Sequence, residues 1–230
     1  MHSIKDNIEQ IRMNIEAAAL KSGRKVSDVR LMAVTKTVDD ARIMEAIDAG
    51  IDLIGENYVQ EAQRKIEIIG NAVQWHFIGR LQTNKAKYAV RLFDMIHSVD
   101  RIALAAELDK RAKAAGCIIP ILIEVNLSGE TTKSGVPKDG VFDLVRQTAG
   151  LDNIAVEGLM TMPPWSDNPE DSRPYFAQLR ALKEAIAAKQ LIGVEMQELS
   201  MGMSADYEVA VEEGATIIRI GTSIFGERPL

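Results

Sequence analysis

The sequence predicts a (β/α)8 barrel, of the TIM type, preceded by one extra helix. Three observations carry that expectation. Strand-like and helix-like segments alternate along the chain, eight strand-like runs fit into its 230 residues, and no G-x-G-x-x-G follows the first of them. Alternation implies parallel strands joined by right-handed crossovers. Eight such units in this length suit a closed barrel. An open doubly wound sheet is the runner-up, and the missing glycine fingerprint disfavours it.

The elements follow in order. Ile4, Ile8, Ile11 and Ile15 recur at helical spacing and mark an amphipathic first helix closed by Gly23. The strand-like runs are RLMAVT (30–35), DLIGE (52–56), QWHFIG (74–79), FDMIHSV (93–99), IIPILIEVNL (118–127), IAVEGLM (154–160), MQELSMG (196–202) and TIIRIG (216–221). Helical patterns lie between them in DARIMEAIDAG, VQEAQRKIEIIG, RIALAAELDKRAKAAG, KDGVFDLVRQTAG, YFAQLRALKEAIAAKQ and SADYEVAVEEG. Several end in Gly, as a helix C-cap favours. The Pro-rich, polar stretch TMPPWSDNPEDSRP (161–174) follows the sixth strand and reads as a lid or surface loop rather than a domain linker. One domain spanning residues 1–230 is expected.

Composition narrows the function classes. Lys and Arg total 27 against 33 Asp and Glu, a net charge of −6, with no basic block to grip a nucleic-acid backbone. Cys117 is the sole cysteine, so no intrachain disulfide or cysteine metal cluster can form, and its setting reads as a small core residue. Charges interrupt every candidate signal-peptide core, and no apolar run is long enough to cross a bilayer. A soluble, cytoplasmic protein is expected, with no nucleic-acid or membrane partner.

Barrel sites lie at the C-terminal ends of the strands. Lys36 stands there on the first strand and shares strand parity with Met32 and Val34. If that face is inward, the amine enters the barrel mouth. Partial desolvation would then favour its neutral, nucleophilic form, able to make a Schiff base with an aldehyde. The plainer alternative is a rim lysine reaching water. Thr37 and Asp40 have capping-box spacing for the helix that follows.

The other end of the chain suggests a phosphate. Ser200, Gly202 and Ser204 sit where the seventh strand turns into a helix, and Gly221, Thr222 and Ser223 repeat the arrangement after the eighth. Small residues, hydroxyls and new helix N–H groups suit an anion, and barrel phosphate sites commonly use these two loops. Either loop alone could be ordinary turn and capping chemistry. Arg219 lies inside an apolar strand and needs an acceptor, either a carboxylate such as Glu198 or a ligand ring nitrogen or phosphate. Asn57 can bond a ligand or cap a helix. His76 and His97 read as lone core histidines without the companions of a metal site, and RLQTNKAK (80–87) is a basic patch facing phosphate or water.

Taken together, LMAVTKT, IGENYVQEA, WHFIGRLQTNK, NLSGETTKSG, GLMTMPP and LSMGMSADYEVAVEEGATIIRIGTSIFG resemble the pyridoxal phosphate homeostasis proteins, relatives of the N-terminal barrel of alanine racemase. The resemblance runs from Leu31 to the C-terminus. It implies pyridoxal 5′-phosphate as cofactor, with Lys36 as the Schiff-base lysine. It further implies phosphate contacts at Ser200, Ser204, Gly221 and Thr222, Arg219 beside the pyridine nitrogen, and Asn57 supporting the ring or the lysine. The family lysine usually follows Ser; Thr35 keeps the hydroxyl.

The same resemblance raises three functions. The first is a carrier or buffer in intracellular vitamin B6 homeostasis, with pyridoxal phosphate-dependent apoenzymes as partners and a monomer or weak homodimer as its state. The second is a weak amino-acid racemase or other pyridoxal phosphate enzyme, and the third a Schiff-base aldolase on a sugar phosphate. Racemisation in the related enzyme draws a tyrosine from a second domain, which is not expected here because the chain ends at Leu230 just after the eighth strand. An arginine at the ring nitrogen also disfavours its protonation and weakens the ring as an electron sink. The carrier is therefore the expected function, without a catalytic acid/base pair.

Overall fold

A computed structural model describes residues 3–130 and 132–227. Thr131, within the NLSGETTKSG stretch, and the last three residues lie outside the described ones. The chain opens with helix α1 (Ile4–Lys21), whose Ser3 cap accepts from the Asp6 N–H and donates its own N–H to the Asp6 carboxylate, both at 3.0 Å. That reciprocal pair fixes the helix start. Ile4, Ile8, Ile11 and Ile15 are buried, as their spacing predicts.

Strands and helices then alternate. The order is β1 (Arg30–Val34), α2 (Asp40–Asp48), β2 (Leu53–Glu56), α3 (Val59–Ile69), β3 (Gln74–Phe77), α4 (Ala86–Leu92), β4 (Met95–Val99), α5 (Ile102–Ala115) and β5 (Ile119–Asn126). It continues with the two-residue β6 (Val136–Pro137), α6 (Val141–Thr148), β7 (Ile154–Met160), α7 (Arg173–Ala187), β8 (Val194–Ser200), α8 (Tyr207–Glu212), β9 (Ile217–Ile220) and α9 (Thr222–Phe225). All pairings are parallel, in the order β4-β3-β2-β1-β9-β8-β7-β5, and β4 pairs with β5 to close the barrel. The expected (β/α)8 architecture and its extra helix are both present. α1 packs across α2, α8 and α9, and its Asn7 side chain donates to the Ile224 carbonyl.

The strand period of two sorts the side chains. Ala33, Ile54, Ile96, Ile121, Ile123, Leu159, Ile218 and Ile220 belong to the large core between strands and helices. Met32, Leu53 and Ile217 form a separate small cluster, as do Met95, Leu122 and Met160. Gly55 makes room for Met32, because a Cβ there would lie 2.5 Å from its Sδ. The Met32 parity carries through Val34 to Lys36, which therefore reaches the barrel mouth rather than the helical shell.

One local expectation needs completing and one correcting. The stretch 80–87 keeps Arg80 and Lys87 at the surface, as a basic patch would, but it also leads into α4, a short helix that buries Ala86, Ala89 and Val90 and that the sequence reading did not anticipate. The cap of α2 is Asp39, whose carboxylate accepts from the Arg42 N–H at 3.1 Å, not Thr37. Thr37 instead has φ +62°, a left-handed conformation that a β-branched residue rarely adopts. Its backbone N–H is held from outside the helix, by Glu61.

Candidate functional site

A cavity of about 440 Å³ opens at the C-terminal ends of the strands. Lys36, Asn57, Ser204, Arg219, Gly221 and Thr222 line it, together with Glu124, Arg80, Asp206 and the loop residues Met162, Pro164 and Trp165. Six of the seven expected site residues thus share one cavity.

Lys36 is half-buried, and the residues on either side of it are anchored. The Thr35 carbonyl accepts from Lys65 Nζ at 2.6 Å, and the Thr35 hydroxyl donates to Glu56 at 2.6 Å. The Thr37 N–H donates to the Glu61 carboxylate at 2.6 Å, which explains how its unusual backbone is held. Lys65 also pairs with Glu56 and Glu61, each at 2.7 Å, and is wholly buried. Burial pushes the Glu56 carboxyl above its usual range while Lys65 opposes the shift. Sequence reading missed this network, although Glu61 and Lys65 stand at ion-pair spacing on α3.

The loops after β8 and β9 meet each other. The Ser223 N–H donates to Ser204 Oγ at 3.3 Å, and the N–H groups of Ile224 and Phe225 donate to the Gly221 carbonyl as α9 begins. Gly202 has φ +92°, and a Cβ there would lie 2.5 Å from the Ala210 Cβ, so the turn out of β8 requires glycine. Asp206 ties the same loop down, accepting from the Met203 N–H at 2.7 Å and from the Ser172 hydroxyl at 2.8 Å.

Ser200 does not join the expected phosphate set. It is fully buried, is not among the lining residues, and its Oγ accepts from Arg219 at 2.7 Å while lying 2.9 Å from His97 Nδ1. The second guanidinium contact is the Thr161 carbonyl at 2.9 Å. Glu198, the carboxylate considered as the acceptor for Arg219, bonds Thr216 instead. His76 and His97 are not separate core residues either, since His76 Nδ1 lies 2.9 Å from His97 Nε2.

The electrostatics follow from burial. Desolvation pushes Arg219 down to about 10, against the pull of Asp206 and Glu124. Burial, reinforced by Asp100, raises the Glu124 carboxyl to about 7, with Arg219 and Arg80 opposing. Glu124 was legible only as a carboxylate inside an apolar run and escaped the sequence reading. The lining thus combines an amine, hydroxyls beside a helix start, and a guanidinium bonded to neutral acceptors. This set can take an aldehyde that also carries a phosphate.

Fold and site together define a (β/α)8 barrel with a lysine at the mouth of its first strand. The sequence pattern of the alanine racemase N-terminal domain matches residues 7–229, and the chain belongs to that family. It is 45% identical over 224 residues to the pyridoxal phosphate homeostasis protein of Aquifex aeolicus, covering 97% of each chain. Its identity to the protein of the same name from Vibrio cholerae is 41%, over 99% of this chain and 98% of that one. Among solved structures it superposes on PipY of Synechococcus elongatus with pyridoxal phosphate bound, at TM-score 0.85 and 36% identity, over 97% of this chain and all of that one.

Proposed function

We propose that this chain binds pyridoxal 5′-phosphate through a Schiff base with Lys36 and serves as an intracellular carrier or buffer of the cofactor, not as an enzyme. The observation that carries the proposal is the convergence of Lys36, Ser204, Gly221, Thr222 and Arg219 on one cavity. Relatives along its whole length bear the name pyridoxal phosphate homeostasis protein, and a solved relative holds the same ligand.

The residues present fit the group. Asn57 Oδ1 is buried at the cavity and has no hydrogen-bond partner among the described residues, so a ligand hydroxyl or N–H would satisfy it. When bound, the cofactor supplies an aldehyde for amines and a ring that can delocalise negative charge. Ser204, Thr222 and the backbone at Gly221 would hold its phosphate, and Arg219 would face the ring nitrogen. A guanidinium there keeps that nitrogen unprotonated, which suits storage better than catalysis. In this proposal the recipients are pyridoxal phosphate-dependent apoenzymes, the protein is a monomer or weak homodimer, and it resides in the cytoplasm. Among the described residues, no helix is long and apolar enough to cross a membrane.

The test is covalent mapping. Borohydride reduction and peptide mass spectrometry are expected to place the pyridoxyl group on Lys36, and Lys36→Ala to lose the visible absorbance while keeping the fold. The loaded protein is expected to show no steady-state racemisation of amino acids. An adduct found only on Lys85 or Lys87 overturns the assignment.

A further inference from the structure

Behind the cavity wall lies a run of polar groups that neither the amine nor the phosphate loops use. Arg219 on β9, Ser200 at the end of β8, His97 on β4 and His76 on β3 are all buried in the barrel, Arg219 being 4% exposed and Ser200 and His97 not at all. Successive contacts measure 2.7 Å from Arg219 to Ser200, 2.9 Å from Ser200 to His97, and 2.9 Å from His97 to His76.

We propose that Ser200, His97 and His76 are positioning residues for Arg219, joined in one direction: Arg219 donates to Ser200, Ser200 to His97 Nδ1, and His97 Nε2–H to His76 Nδ1. The direction follows from counting protons. Arg219 can only donate, so Ser200 Oγ accepts from it. The serine has one proton left, and Oγ has only these two hydrogen-bond partners among the described residues. If His97 Nδ1 also donated to Oγ, the serine proton would be stranded in the interior. Two positive donor ends would also converge on one oxygen beside a cation. The proposed arrangement gives the Ser200 and His97 protons an acceptor each, and each bond polarises the next.

Both imidazoles must be neutral for this count. Burial holds His76 down to about 3, aided by Arg30, and holds His97 well below its ordinary value, aided by His76, Arg219 and Arg30. The guanidinium is thereby bonded to two neutral acceptors, Ser200 Oγ and the Thr161 carbonyl. Asp206 and Glu124 act on it through charge without a hydrogen bond. Its charge stays available to the cavity, at a fixed angle.

The second part of the test rests on the proposed ligand; the first does not. Nitrogen-15 NMR of histidine-labelled, ligand-free protein at neutral pH is expected to show His97 and His76 as Nε2–H tautomers. An Nδ1–H tautomer at His97 overturns the direction. Dissociation constants are then compared for pyridoxal phosphate and its 1-deaza analogue, which lacks the ring nitrogen. His97→Phe is expected to lose about tenfold of the preference for the pyridine ligand, the value of one charge-assisted hydrogen bond, with the deaza affinity unchanged. His97→Gln, whose amide oxygen can accept from Ser200, is expected to recover part of it. Equal weakening of both ligands would mean a purely structural role and overturns the positioning claim. Should His97→Phe fail to fold, Ser200→Ala makes the same comparison. If neither ligand binds the unaltered protein, the cofactor reading falls, and the tautomers still decide the chain.

Discussion

At the scale of single residues, Thr222 is the sharpest probe of the phosphate assignment. A hydrogen bond to a charged group contributes about 1.5–3 kcal/mol. Thr222→Val is therefore expected to weaken pyridoxal phosphate binding roughly ten- to a hundredfold, and to leave unphosphorylated pyridoxal nearly unaffected. Equal losses for the two ligands, measured by titration, would place the phosphate elsewhere. The positions of Lys36, Ser204, Gly221 and Thr222 at the cavity were legible because strand parity and turn chemistry are local. Ser200 falls outside the cavity lining for the opposite reason. Its partners, Arg219 and His97, are 19 and 103 residues away, and nothing near Ser200 in sequence announces them.

At the scale of elements, the anchor of the lysine loop joins β1, β2 and α3 through Lys65. Removing one member of a buried ion pair strands the other and costs about 3–5 kcal/mol. Lys65→Met is expected to lower stability to urea by that amount, and adding Glu56→Gln to restore a substantial part of it. A loss below about 1 kcal/mol would mean that water reaches Glu56 and the clamp is weak. The helices with long apolar stripes were all readable. α4 was not, because the Thr83-Asn84-Lys85 turn before it is polar and only Ala86, Ala89 and Val90 of the helix are buried, too few to set a period. The start of α2 was misplaced because Thr37 is bound by Glu61 from another element, a contact no capping rule contains.

At the scale of the whole molecule, the barrel was legible from strand–helix alternation, the count of eight strands and the missing glycine fingerprint, while its polar interior was not. That interior leaves a signature in stability. Glu124, raised to about 7 by burial, holds a proton in the folded state that the unfolded chain releases near its ordinary 4.5. Between those values the folded state binds more protons, so this group's contribution to stability falls as pH rises. Glu124→Gln removes the effect. Relative to the unaltered protein, the variant is expected to gain about 1.4 kcal/mol per pH unit across that window and then level off. Urea unfolding at pH 4.5, 6 and 8 reads the difference; a flat difference would mean that Glu124 titrates normally.

The pairing of β4 with β5 has one more consequence. A sheet closed on itself presents no long free edge, and the only short one described here belongs to the two-residue β6. Another chain cannot extend it by adding a strand, the usual route to aggregation among open sheets. Association with other molecules must then run through helices and loops. With a net charge of −6 discouraging self-contact, the chain is suited to high concentration in free form.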